Sequence, residues 1–397
     1  MKKKSSLFLG IFILLITIAT ILFFKINQPS ESTSLSYQDQ QFFAKREKIN
    51  TDRFKFLNKN NSVFNDSNNN DFVSVSPLIV DEVNNLEMPK PASIHFLFLG
   101  DIMLDRHVGE RLEGKNVSFL LSNFSPEEDF WHKYDFISAN LEGAVTNEGA
   151  HYAPHNSYDF AFAPERIAEL KDFNFSYFAL ANNHFRDQGD KGVLETRENL
   201  NQLGFYFSGA TDTKIEPESR LDLKIGELKL SLISLSMVQD HFSLPAAQEM
   251  IKEADRENDL VIVNIHWGVE YDHFFNTYQK ERGRALVDAG ADLIIGHHPH
   301  VVQGMEIYNG KPIFYSLGNF IFDQYFSEAT QEGLALDIDY QADELIINFL
   351  PYKSKQSAPK LLVDEAKAAW LKKYLTWSKL ETDLAEQVKA GYLKLDF

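Results

Sequence analysis

Asp292-Leu293-Ile294-Ile295-Gly296-His297-His298-Pro299-His300 carries the pattern that decides how this chain is read. Leu293 to Ile295 is a short leucine and β-branched run, which reads as a buried strand. It stops at Gly296, and three of the twelve histidines follow within four residues. Imidazoles clustered where a strand ends commonly hold a metal ion. Pro299 stiffens the loop and limits how far His298 and His300 can move apart.

Outward from this strand, strand-like runs alternate with helical patterns, as in an α/β or layered α+β fold. A helix over Thr277–Ala289 leads into it. Upstream, the apolar patterning predicts strands at Ile94–Leu99, Phe136–Ala139, Phe175–Leu180, Lys229–Leu235 and Leu260–Ile265. Helical patterns fall at Pro126–Trp131, Pro164–Asp172, Lys191–Leu203 and Ala246–Glu257, and Gly204 stands at a C-cap position. Downstream come strands at Pro312–Ser316, Leu334–Tyr340 and Glu344–Phe349, and the segment Val363–Leu395 reads as helical. No internal repeat is present.

The residues just after the strands share a chemistry. Asp101 follows the first, Asn140 and Glu142 the second, and Asn182-Asn183-His184 the third. His266 follows Ile265, and His298 and His300 follow the quoted run. Sites in open α/β sheets are built at the carboxyl ends of strands. An Asp or Asn there is by itself most often a turn or helix cap, and a single His is as often a packed core residue. Five strand ends carrying Asp, Glu, Asn and His together form an N/O set suited to divalent ions, one or two of them. His297 is expected to touch a ligand or face solvent rather than bind. His95, His107, His132, His151, His155, His241 and His273 read as surface or packing residues, with His155 and His273 at the rim of a cleft.

Composition narrows the partners. The chain has 397 residues and a net charge of −18, so a nucleic-acid backbone is excluded as a partner on electrostatic grounds. The absence of cysteine excludes disulfides, thiolate metal sites and a cysteine nucleophile. Thirty-three phenylalanines predict a core rich in aromatic rings. Residues 1–6 include Lys2, Lys3 and Lys4, and 7–24 form an apolar run. As a helix that run spans about 27 Å, close to the hydrocarbon thickness of a bilayer. The lysines place the N-terminus in the cytoplasm and the rest outside. An uncleaved single-pass anchor is expected, because no small-residue cleavage site follows; a cleaved signal peptide is the competing reading. Residues 25–92 are polar and read as a tether, with a short strand at Val73–Val80. The ordered domain is expected over 93–353, followed by a helical segment over 354–397.

The motifs resemble the CapA, or PgsA-like, family of bacterial capsule synthesis proteins linked to poly-γ-glutamate. The match rests on Gly100-Asp101-Ile102-Met103-Leu104 with Arg106, Asn140-Leu141-Glu142, and Ala181-Asn182-Asn183-His184 with Asp187 and Gly189. It continues through His266-Trp267-Gly268 with Glu270-Tyr271, Gly296 to Gln303, and Ser316-Leu317-Gly318-Asn319-Phe320 with Asp323-Gln324. That family is similar to the calcineurin-like metallophosphoesterases, which implies a four-layer αββα sandwich with a two-metal site. It implies Asp101, Asn140, Glu142, Asn183, His266, His298 and His300 as metal-holding residues. His184, with Asp187 and Glu270, becomes the catalytic group that protonates a leaving group or steadies the transition state. The ion, whether Mn, Zn, Fe or Mg, activates water. Two positions depart from the phosphoesterase pattern: Met103 stands where a His is usual, and Asn140-Leu141-Glu142 replaces an Asp after Gly. Both departures are shared with the CapA family.

The resemblance therefore implies a membrane-anchored extracytoplasmic protein of capsule or poly-γ-glutamate synthesis or export. Its expected partners are the cell membrane, membrane components of a polymer-synthesis complex, and the anionic polymer. A metallophosphoesterase acting on other substrates and a non-catalytic scaffold are the alternatives.

Overall fold

The computed structural model describes residues 93–396, apart from residues 156, 239, 240, 342 and 343. The expected anchor over 7–24, the tether over 25–92 and the strand Val73–Val80 lie outside the described residues. No helix among the described residues is long and apolar enough to cross a membrane.

In chain order, β1 (Ile94–Ile102) is followed by α1 (Arg106–Arg111), α2 (Ser118–Leu121), β2 (Phe136–Leu141), β3 (Ala144–Val145) and β4 (Ala161–Phe162). Then come α3 (Pro164–Ala168), β5 (Phe175–Ala179), α4 (Gly189–Leu203), β6 (Tyr206–Ser208), β7 (Arg220–Ile225) and β8 (Leu228–Ser236). The next elements are α5 (Leu244–Glu257), β9 (Leu260–His266), α6 (Thr277–Val287), β10 (Leu293–His297), β11 (Val302–Tyr308) and β12 (Lys311–Leu317). The chain continues through β13 (Asn319–Ile321), β14 (Glu332–Gln341), β15 (Glu344–Lys355) and β16 (Ala358–Leu361). It closes with α7 (Asp364–Trp377), α8 (Thr382–Lys389) and β17 (Tyr392–Asp396).

These strands form two large mixed sheets and a two-stranded one, β3-β4. The first has nine strands in the order β16-β15-β14-β1-β2-β5-β6, with β13 beside β1 and β17 beside β15. The second has six, in the order β11-β12-β10-β9-β8-β7. Within them β1, β2, β5 and β6 run parallel, as do β8, β9, β10 and β12. Parallel neighbours bring all their carboxyl ends to the same edge of a sheet, and this alignment is what assembles the site.

Alternation along β1 explains the layering. Phe96 and Phe98 turn to one face, where they meet Leu230, Leu232, Ile262 and Phe314 of the second sheet. Leu97 and Leu99 turn to the other, against Val108, Leu120, Ile167 and Leu200 from the helices. A period of two is what a strand buried on both faces requires. The outer face of the second sheet, through Val261, Val263 and Ile294, packs on Ala247 and Ile251 of α5 and Leu286 of α6. The order of layers is helices, sheet, sheet, helices. The phenylalanine-rich composition finds its use here: Phe124 lies 5.4 Å from Phe130 and 5.0 Å from Trp131, ring centre to ring centre. Each such ring, once buried, contributes about 2 kcal/mol.

Close approach of backbones fixes the glycine that ends the opening run. A Cβ at Gly296 would lie 2.0 Å from the Tyr315 carbonyl oxygen and 2.7 Å from Trp267 Nε1. Only glycine lets β10 sit this close to β12. Gly204 caps α4 in the left-handed region at φ 74°, as its position predicts.

Two expectations need correction. The helical pattern at Pro126–Trp131 yields only a 3-10 turn, Phe130–Lys133. The segment Val363–Leu395 is not helical throughout: it ends in β17, which pairs antiparallel with β15, Ile346 opposite Lys394. Leu393 and Leu395 are buried while their neighbours are exposed, a two-residue alternation too short to stand out beside two helices. The expected boundary at 353/354 falls inside β15. Trp370, Tyr374 and Trp377 of α7 join the core between the sheets.

Candidate metal centre

Asp101 is the pivot of the site. It lies within β1, paired with Asn140 of β2 on one side and Asn319 of β13 on the other, and is fully buried. Its Oδ1 accepts from Asn140 Nδ2 at 2.9 Å and from His297 Nδ1 at 2.9 Å; the His298 N–H lies 3.4 Å from Oδ2. Burial alone would raise its pKa, but the hydrogen bond and charge of His297, with His300 and Asn140 behind it, hold the carboxyl below its ordinary value. Glu142, also fully buried, moves the other way: burial and the repulsion of Asp101 push it well above the usual carboxylate range. Two carboxyls in one dry pocket cannot both carry charge cheaply without a cation.

Imidazoles close the pocket. His266 is the last residue of β9, and its Nε2 lies 2.7 Å from Asn183 Oδ1. An amide oxygen only accepts, so Nε2 carries the proton and Nδ1 keeps its lone pair. His300 Nδ1 likewise lies 2.9 Å from Asn319 Oδ1, which leaves Nε2 with the lone pair. The His266 and His298 rings are 4.8 Å apart, and those of His298 and His300 are 6.0 Å apart. Burial and the neighbouring histidines press His266 well below its ordinary pKa and His298 down to about 3. Both rings are therefore neutral at physiological pH, the form that donates a lone pair.

The expected positions thus converge, in two groups. Ligand atoms of Asp101, Glu142 and His266 lie within 4.8 Å of one another, and so do those of Glu270, His298 and His300. Several of the buried atoms have no hydrogen-bond partner: Glu142 Oε2, His298 Nδ1 and His297 Nε2. Buried polar atoms are rarely left this way unless a ligand completes them, so the donor set fits a divalent cation. The loop that carries the histidines is strained to do this, with His298 at φ 98° and His300 at φ 58° on either side of Pro299.

Three expected residues lie beside this core in other roles. Asn140 donates to both carboxylates, 2.9 Å to Asp101 and 3.1 Å to Glu142, and its oxygen accepts from Asn182. His184 Nδ1 donates to Asp187 Oδ2 at 2.8 Å, and the same oxygen accepts the Phe160 N–H. The Phe160 ring covers His184 at 4.2 Å. An imidazole oriented by a carboxylate, half-buried at the edge of the site, is arranged for proton transfer through its free nitrogen.

His297 departs from the solvent-facing alternative, being buried and bonded to Asp101. Met103 provides no ligand: it is buried in the helix-side core, and its sulfur accepts the Asp105 N–H at 3.1 Å. Asp105 caps α1, accepting from Arg106 N and, through its second oxygen, from Ala161 N. Asn182, Asn319 and Phe160 were not among the expected site residues. Asn182 and Asn319 lie within the quoted motifs; nothing local marks Phe160. His273, expected at a rim, stacks on Trp377 at 4.0 Å and packs there.

Comparison with known proteins agrees with the motifs. The model of the family described as Bacterial capsule synthesis protein PGA_cap matches residues 95–324. The PGA biosynthesis protein CapA of Bacillus subtilis (strain 168) is 36% identical over 251 residues, covering 60% of this chain and 65% of that protein. The capsule biosynthesis protein CapA of Bacillus anthracis is 29% identical over 283 residues, covering 66% and 68%. The match thus spans slightly less than two thirds of the Bacillus subtilis protein's length. Among solved structures, a novel phosphatase from Mycoplasma pneumoniae aligns over 68% of this chain and 92% of its own, with 16% identity and a TM-score of 0.41.

Proposed function

Because the chain belongs to the bacterial capsule synthesis protein PGA_cap family, we propose that it acts in the synthesis or export of an anionic capsule polymer of the polyglutamate type. On this reading residues 7–24 anchor it in the cell membrane, the domain works outside the cytoplasm, and membrane components of the synthesis complex are its partners. The single observation that carries a chemical role is the pair of three-residue groups, Asp101-Glu142-His266 and Glu270-His298-His300, with unpartnered buried atoms among them. The sandwich of two sheets between helices supports a metallophosphoesterase-like architecture for that centre.

Asp101, Glu142, His266, His298, His300 and Glu270 would hold one or two divalent ions, with Asn183 beside His266. A bound ion supplies Lewis-acid polarisation and lowers the pKa of a bound water. The chain's own residues do the rest. Asn140 keeps the two carboxylates together, Asn319 and Asn183 set the imidazole tautomers, and His184, oriented by Asp187, moves a proton to or from the leaving group. Burial of Asp101, Glu142, His266, His298 and His300 strengthens their contacts, while Glu270 stands at the exposed side of the centre.

The test is metal content and turnover of the full-length protein. Stoichiometric divalent metal that is lost in Asp101→Ala and His298→Ala supports the centre, and its absence at neutral pH removes the chemistry. Release of γ-linked glutamate from the polymer supports polymer processing. Turnover of a generic phosphodiester instead supports the second reading, a phosphoesterase on other substrates, which the adjacency of the two ligand groups favours. Metal without either activity would leave a scaffold.

A further inference from the structure

We propose that the groove between α2 and the β15–β16 hairpin is the docking site for a strand of the anionic polymer. This rests on the polymer reading above and assigns it a surface outside the metal centre. The groove has a volume of about 510 Å³. Its apolar lining comes from Phe119, Leu120, Ala358 and Leu362, and Lys353, Lys355 and Lys360 line it as well. No carboxylate lines it, on a chain whose net charge is −18.

The lysines are ordered by the hairpin. Lys353 pairs with Lys360 across the two strands, and Lys355 stands two residues along from Lys353. All three therefore share one face, with cross-strand neighbours about 5 Å apart and successive ones about 7 Å apart. Like charges placed directly opposite destabilise a sheet unless an anion answers them. Glu328 answers Lys353 at 2.7 Å. Among the described residues no carboxylate pairs with Lys355 or Lys360. Two further cations flank Phe119: Arg111 and Lys115 lie 5.4 and 3.8 Å from its ring centre.

Lysines at a sheet edge also guard against pairing with other strands. Here one edge donor is already taken, the Leu361 N–H by the Phe124 carbonyl. A guard needs no apolar lining either. A chain with carboxylates at regular intervals and methylene stretches between them matches both features, the lysines and the apolar lining.

The hairpin beside the groove is tied to the element next to the candidate metal centre. Arg111 donates to Gln356 Oε1 at 2.7 Å, and Ser357 Oγ donates to the Phe322 carbonyl at 2.9 Å. The Phe322 ring lies 4.8 Å from that of His300.

The experiment is binding of poly-γ-glutamate of defined length to the full-length protein, wild type and the double variant Lys355→Glu/Lys360→Glu. Metal content is measured on the same samples. The expected result is at least a tenfold weaker affinity in the double variant with metal content unchanged, and binding to wild type that weakens as salt is raised. Phe119→Ala is expected to weaken binding severalfold by removing part of the apolar lining. Equal affinity in wild type and double variant, or no binding to wild type, overturns the proposal. So does an acidic amphipathic peptide that occupies the groove while the polymer fails to displace it. Loss of metal with groove binding retained would defeat the catalytic reading alone.

Discussion

Asn319 Oδ1 accepts the Nδ1 proton of His300 across 2.9 Å, and this one bond decides which imidazole nitrogen keeps a lone pair. The two residues are 19 apart in sequence and meet because β13 pairs with β1, setting Asn319 opposite Asp101. Asn319 is itself held, donating to the Thr330 carbonyl at 3.1 Å. A carboxamide fixed in this way would orient a metal-holding imidazole without itself being a ligand.

Replacing Asn319 by Leu is therefore expected to weaken divalent-metal affinity by about 10- to 100-fold. Asn319→Asp keeps an acceptor for His300 but loses the donor to Thr330, and should retain more of it than the Leu variant. Competition titration with a chelating dye reads both variants, and equal loss in the two would remove the orienting role.

His184→Asn should lower turnover by about 10²- to 10⁴-fold, the usual worth of a positioned acid or base. Asp187→Asn should cost less, because the imidazole remains and only its orientation is lost. Metal content should match wild type in both, since His184 belongs to neither group of close ligand atoms. Metal lost along with activity would instead make His184 a ligand.

Gly296→Ala tests the close approach of β10 and β12. The added methyl meets the Tyr315 carbonyl at 2.0 Å, backbone against side chain, with no flexible group to give way. A cost of about 3 kcal/mol or more is expected. Thermal unfolding should show a clear drop in Tm, and the histidine loop that follows Gly296 should bind metal less tightly.

Glu306 supplies a pH signature away from the site. It is buried, receives a two-pronged contact from Arg284 at 3.0 and 2.7 Å, and accepts from Tyr315 OH at 2.7 Å. Burial alone would raise its pKa, but Arg284 and Tyr315 outweigh it and hold the carboxyl below its ordinary value of 4.5. A carboxyl lowered by folding contributes stability that is complete above that ordinary value and is lost as pH falls through the folded one. Glu306→Gln should cost about 1 to 3 kcal/mol at pH near 7, because charged hydrogen bonds are lost while the half-exposed Arg284 can rehydrate. The difference in Tm between variant and wild type should narrow as the pH drops below 4.5. A difference that stays constant into acid would show that the carboxylate charge contributes nothing.

The sequence by itself determined the alternation of strands and helices and the chemistry at the strand ends. Both are local: a period of two or of 3.6 residues is written along the chain, and so is the Asp, Asn or His that follows each run. That is why Asp101, Glu142, His266, His298 and His300 could be singled out one strand at a time. Only the tertiary structure decided what those residues do to one another. His297 turns out to bond Asp101, 196 positions away, and Met103 turns into the core instead of the site. The terminal strand β17 and the groove lysines likewise depend on which segments β15 meets. Such contacts come from strand order and register between distant segments, which local patterning does not encode. The histidine loop announces a candidate metal site locally, but the carboxylate it encloses and the asparagine that aims it are brought in by the packing of two sheets.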